Sequence, residues 1–199
     1  MELRQVAVGT LLSVALAGCA ALPGGAPPPV DTYELTAPQP PERGRRLPRV
    51  QALVAEPTAL KALDGQDIVI KTGPATIQFL EGARWADRLP RIVQARLAET
   101  LQLSDRLGGV GLPGEGLAID YQVIVDIRAF EIRVDAPERA VAEFYVRVLN
   151  DRNGVVRAAR RFTATVPVAA SGADGFVAAL DAAFDAVALE IVPWAVSVM

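Results

Sequence analysis

Few side chains in this sequence could do chemistry. It has no histidine and a single cysteine, Cys19. Without an imidazole, the commonest general base and metal ligand is missing, so serine–histidine triads, cysteine–histidine dyads and histidine-based zinc sites are excluded. Beyond the first twenty residues the serines are Ser104, Ser171 and Ser197, each in a loop or near the terminus. Neither Lys61 nor Lys71 stands in a Ser-x-x-Lys spacing. Asp120 and Asp126 share one face of an alternating segment, which is the pattern of the wet side of a sheet more often than of an acid–base pair. No catalytic residue, cofactor or metal is expected. The remaining reactive group is one thiol.

That thiol sits in a telling place. Leu16-Ala17-Gly18-Cys19 closes a short apolar run and resembles the lipobox of bacterial lipoproteins, read by enzymes that acylate the cysteine and cleave before it. Arg4 supplies a positive n-region, Val6 to Leu16 an apolar h-region, and Ala17-Gly18 the small residues required at a cleavage site. About eleven apolar residues cannot span a bilayer, which needs about 20. Residues 1–18 are therefore read as a lipoprotein signal peptide, expected to form a detached apolar helix in the full chain, and Cys19 as the lipidation site. A diacylglyceryl group and a third chain, at about 0.8 kcal/mol per buried CH₂, make a permanent anchor. Ala20, and not an aspartate, follows Cys19, which favours the outer membrane, on its periplasmic face.

Residues 19–31 form a tether rich in proline and glycine, ending Pro27-Pro28-Pro29-Val30-Asp31. Extended at about 3.1 Å per residue, it reaches roughly 40 Å from the lipid. A second proline-rich loop, Ala37 to Pro48, carries Arg43, Arg45 and Arg46, with Arg49 just after it. It reads as a solvated loop; whether the Arg43–Arg49 stretch touches anionic headgroups is left open by the sequence. Cleavage removes Glu2 and Arg4 together, so the formal charge stays at −3, which argues against a nucleic-acid partner.

Residues 32–199 are expected to form one domain. Thr32 to Leu35, Arg49 to Ala55, Gln66 to Thr72 and Ala75 to Leu80 read as strands. A helix from Ala86 to Leu103 carries the stripe Leu89, Ile92, Val93, Leu97 and Leu101, with Pro90 in its first turn and Trp85 as a core anchor just before it. The Gly108–Gly116 stretch follows a helix and precedes a strand, the reverse of a phosphate cradle, and is read as a mobile connection. From Ala118 to Asp135 the alternation switches phase, which requires a bulge near Ala129. Arg139–Leu149 and Val155–Val168 pair as a hairpin across Asp151 to Gly154, with Asn153-Gly154 at positive φ. Val156, Ala158, Phe162, Ala164 and Val166 should share its second inner face. A last helix, Asp174 to Val192, has the stripe Phe176, Leu180, Phe184, Val187 and Ile191 and a solvated acidic face. The class is α+β: a two-layer sandwich of a mostly antiparallel or mixed sheet, six or seven strands, with two main helices on one face.

Several short segments carry a wider resemblance: Tyr33-Glu34-Leu35, Val54-Ala55-Glu56-Pro57, Leu63-Asp64, Ile77-Gln78-Phe79, Gly82-Ala83-Arg84-Trp85-Ala86-Asp87 with Leu89-Pro90, Asp126 to Glu131, and Arg161-Phe162. In this order, with an alanine-rich last helix and Trp194, the chain resembles the ABC-type transport auxiliary lipoproteins. Pro193 departs from what that helix should contain. The resemblance implies a non-enzymatic partner of an MCE-type ABC system that moves lipids between inner and outer membranes. Its implied partners are the outer membrane, through the anchor, and the MCE-domain component; homo-oligomerisation stays open. The alternative is a structural or assembly lipoprotein that binds peptidoglycan or an outer-membrane protein.

Overall fold

The computed structural model describes residues 29–41 and 44–199; the expected signal peptide, Cys19, most of the expected tether and Arg43 lie outside the described residues. The expected helix over residues 1–18 falls there too. The chain runs β1 (Asp31–Tyr33), β2 (Leu47–Val54), β3 (Thr58–Ala59), β4 (Asp67–Lys71), β5 (Ile77–Trp85), α1 (Leu89–Leu103), β6 (Leu107–Gly111), β7 (Tyr121–Arg133), β8 (Arg139–Asn150), β9 (Val155–Pro167) and α2 (Ala173–Val198). This is the expected α+β class, with nine strands in place of six or seven.

β7 is the spine of the sheet. One edge pairs antiparallel with β8 along its whole length, from Tyr121↔Asn150 to Arg133↔Arg139. The other edge is divided among three parallel partners: β2 at Tyr121–Val123, β3 at Asp126–Ile127 and β4 at Glu131–Arg133. β4 leads on to β5 and β1, β2 leads to β6, and β8 leads to β9. The ladder shifts between Ile127 and Ala129, so Arg128 is the extra residue and the bulge lies where the phase change requires it.

The two helices touch each other, and their stripes merge with the inner sheet residues in one core cluster. Val123, Val125, Ile127, Phe130 and Ile132 of β7 face Ala140, Ala142, Phe144, Val146 and Val148 of β8 in that cluster. An aromatic chain ties its layers: Trp85 to Phe130 at 5.9 Å, Phe130 to Phe144 at 6.2 Å and Phe144 to Phe184 at 6.4 Å between ring centroids. Trp85 is the core anchor expected, at the end of β5, because the strand runs on through Gly82 (φ +70°) and α1 starts only at Leu89.

Other expectations need correction. The glycine-rich stretch is no mobile connection at its start: Gly108 to Gly111 lie in β6, paired parallel with β2. A Cβ at Gly108 would lie 2.4 Å from the Pro48 carbonyl oxygen, so glycine is what lets the two backbones meet. In the hairpin only Gly154 takes positive φ (+69°). A second shift between Val148 and Leu149 makes Arg157 an extra residue, so Val156 pairs with Leu149 and leaves the inner face. α2 passes through Pro193 and continues to Val198. Its ring removes one amide donor, yet Trp194 packs edge-on against Phe162 at 5.2 Å and holds the last turns to the sheet.

Candidate functional site

The described surface offers three regions for function: where the chain leads into β1, the uncovered face of the sheet, and the arginine-rich loop before β2. At the entrance, β1 pairs parallel with β5, and the chain is then fastened to α2. Tyr33 Oη donates to Asp174 Oδ1 at 2.7 Å. The Thr36 amide donates to Asp181 Oδ1 at 2.7 Å and its hydroxyl to Oδ2 at 2.9 Å. Between them Leu35 inserts into the core and is only 1% exposed. Asp174 beside it pushes the Tyr33 phenol up to about 12, because the hydrogen bond is made by the protonated form.

This clasp revises the reading of the acidic helix face. Asp174 and Asp181 hold the lead segment, and Glu190 pairs with Arg160 at 3.3 Å. Asp185, partly withdrawn from water and near Asp181, has its carboxyl pushed above the usual range, burial being the larger cause. The acids that read as a wet stripe are mostly structural partners of residues distant in sequence.

The sheet face opposite the helices carries a polar row across three strands. Asp126, Tyr145 and Arg161 are consecutive ladder partners on β7, β8 and β9. The Arg128 guanidinium lies 4.3 Å from the Tyr145 ring centroid and reaches Asp126 at 3.3 Å. The bulge therefore does a specific job: its extra residue is the arginine that covers the tyrosine. Further along, Glu131 is flanked by Arg133 at 2.9 Å and Lys71 at 3.7 Å. Arg147, two residues along β8 from Tyr145 and on the same face, has a buried Nε without a hydrogen-bond partner.

Most of the residues weighed as catalytic are engaged elsewhere, while Ser171 and Lys61 stand exposed. Asp120 accepts from the Gln51 amide at 3.0 Å and from Arg152 at 2.5 Å, which together hold its carboxyl below the ordinary range. Asp126 is paired with Arg128, so the two acids do not face one another as a dyad. Ser104 and Ser197 donate to the backbone carbonyls of Leu101 and Trp194. In the loop before β2, Arg46 binds Asp105 and Arg45 is exposed; Arg49, also exposed, lies within β2. Among the described residues no group of three or more acidic, cysteine or histidine side chains is placed to hold a metal, and no helix is long and apolar enough to cross a membrane.

A family motif has a role that sequence alone did not reveal. Arg88, just after Asp87, sits at the N-cap of α1 and bridges Glu56, at 2.9 Å, and Asp64. Its guanidinium is held more firmly protonated than usual by the Asp64 hydrogen bond first and by Glu56. The segments Glu56-Pro57, Leu63-Asp64 and Asp87 thus meet at one corner, where they fix β2, β3 and α1 together.

Fold and site together define an α+β domain led by a segment clasped to its C-terminal helix. The chain belongs to the ABC-type transport auxiliary lipoprotein components, whose family pattern matches residues 33–192. An uncharacterised protein of Bradyrhizobium diazoefficiens is 32% identical over 176 residues, covering 87% of this chain and 47% of that protein. The chain thus spans about half the length of that curated relative. Among solved structures, a Xanthomonas campestris protein aligns at TM-score 0.77 with 24% identity, covering 84% of this chain and 95% of the other. A hypothetical protein from Chlamydia trachomatis aligns at 0.54 with 12% identity, covering 75% and 96%. These two likenesses establish a shared fold. The family is described by a transport role and not by a reaction.

Proposed function

We propose that the chain is a non-enzymatic auxiliary component of an MCE-type ABC system moving lipids between inner and outer membranes, anchored by acylated Cys19 to the periplasmic face of the outer membrane. The observation that carries the reading is the family match from Tyr33 onward, directly after a proline-glycine lead that ends in the clasp on α2. A domain hung on a lipid needs its lead segment fixed to its core, and Leu35 with the Asp174 and Asp181 bonds supplies that fixture. Signal peptide 1–18, tether 19–31 and domain 32–199 are the corresponding division of the chain.

Tethering has an energetic consequence. A docking module confined near its partner by a short linker works at an effective concentration of order mM, so the free domain can bind weakly and still serve. The test is metabolic labelling with a fatty acid, followed by fractionation. The wild-type chain should take up label and sediment with outer membrane, and Cys19→Ser should remain an unlabelled precursor. Labelled mutant protein would remove the anchor from the account. Sedimentation of wild type with inner membrane would remove the outer-membrane assignment. Binding to peptidoglycan or to an outer-membrane protein, without any to the MCE component, would favour an assembly lipoprotein.

A further inference from the structure

The sheet ends in a long strand with one side unused. Among the described residues β9 pairs with β8 alone, and no backbone hydrogen bond joins its other edge to another element. It is 13 residues long, against three for β1 and five for β6, the other edge strands. At about 3.3 Å per residue that is some 40 Å of strand.

The ladder shows which groups point outward. The Val168 amide donates to the backbone carbonyl of Glu138, directly opposite it, so the even-numbered residues 158 to 166 share that inward set. The amides of Ala159, Arg161, Thr163 and Thr165 therefore face away from β8. The next residue of that set is Pro167, which has no amide to offer, as suits a free edge.

Charge says what kind of chain could pair there. Arg157 and Arg161 are exposed and have no hydrogen-bond or ion-pair partner among the described residues, and unpartnered Arg147 lies on the adjoining strand. Arg160 is used internally, on Glu190 and over the Phe162 ring at 4.7 Å. Two β9 strands laid antiparallel around Ala159 would bring Arg157 and Arg161 of one copy opposite their counterparts, which is repulsive. An acidic strand would meet the same arginines favourably.

We propose that the outer edge of β9 is a docking edge for an extended, acidic polypeptide segment of a partner protein, which adds to the sheet as its next strand. Backbone bonds to Ala159, Arg161, Thr163 and Thr165 give register-fixed pairing, and Arg157, Arg161 and Arg147 select acidic side chains. The inference is independent of where the lipid anchor sits, since the edge exists whatever membrane holds the chain.

The test uses the full acylated chain in nanodiscs and two synthetic peptides, one alternating valine with glutamate, the other valine with lysine. Amide hydrogen exchange is followed residue by residue. The acidic peptide should slow exchange at the amides of Ala159, Arg161, Thr163 and Thr165 at least tenfold and leave β1 and β6 unchanged, with a strong decline at high salt. The lysine peptide should do nothing. Arg157→Glu/Arg161→Glu should reverse the preference, and Arg157→Gln/Arg161→Gln should weaken acidic binding without creating basic binding; unchanged protection elsewhere certifies the fold of each variant. No protection by either peptide, protection indifferent to peptide charge, or self-association through β9 without peptide would overturn the proposal. Such a failure leaves fatty-acid labelling at Cys19 untouched, so the two accounts fall separately.

Discussion

The two ends of the sheet are built to opposite plans. At one end β1 is three residues of parallel strand, and the chain beside it is sealed by Leu35 and by hydrogen bonds to Asp174 and Asp181. At the other, β9 is 13 residues of antiparallel strand, and Val155 at its start is 55% exposed. Along the order β1-β5-β4-β7-β8-β9 the ends are five strand spacings apart, roughly 24 Å. α2 links them: Asp174 and Asp181 hold the lead segment, while Glu190 and Trp194 meet Arg160 and Phe162 of β9. The difference teaches a division of labour. The edge where the lead segment enters is closed, and the edge remote from it is left available.

If α2 joins both ends into one unit, damage at either should unfold the same domain. Phe162→Ala, which empties the place between Phe144 and Trp194, should cost about 3–5 kcal/mol, and Leu35→Ala about 2–5 kcal/mol. Chemical denaturation of each should show one transition, followed both by Trp85 and Trp194 fluorescence and by circular dichroism. Two separated transitions in either variant would break the link through α2.

A smaller effect is expected where β2 and β6 meet. Gly108→Ala places a methyl against the Pro48 carbonyl and should cost about 1–3 kcal/mol, with amide protection lost first in β6. Unchanged stability would mean that the strands separate freely there, and β6 would revert to a loose connection.

The smallest effect sharpens the comparison through pH. Asp120 is held below its usual range by the Gln51 amide and Arg152, at the seam of β2 and β7. A depressed carboxylate stabilises the fold above its unfolded value, about pH 4, and that contribution disappears as pH falls through the folded value. Asp120→Asn should cost about 1–2 kcal/mol at pH 7. The gap from wild type should shrink below pH 4; a gap independent of pH would assign the effect to shape and not to charge.

What could be read in the sequence follows the range of the contacts. The β8–β9 hairpin, the bulge beside Ala129 and both helical stripes are written in neighbouring residues, as alternation, a turn glycine and 3.6-residue spacing. The division of one β7 edge among β2, β3 and β4 is not, because each pairing closes across tens of residues and β3 is two residues long. Glycine in β6 reads as flexibility until Pro48 is seen against it. The acids of α2 carry no mark of their partners at Tyr33 and Thr36, 141 and 145 residues away. Arg157 in the second bulge inverted the face assigned to Val156. The proposed anchor at Cys19 rests on a different kind of signal, the residues directly around it, and draws on no contact of the folded domain.

The central claim is that the domain works because it is tethered. Its most direct measurement compares wild type with a form lacking Cys19 that is exported to the periplasm by a cleaved signal, in a strain deleted for the chain. The unanchored form should fold with the same amide protection, bind the purified MCE component measurably in solution, and complement the deletion at least tenfold less well at equal expression. Full complementation by the unanchored form at native levels would contradict the claim.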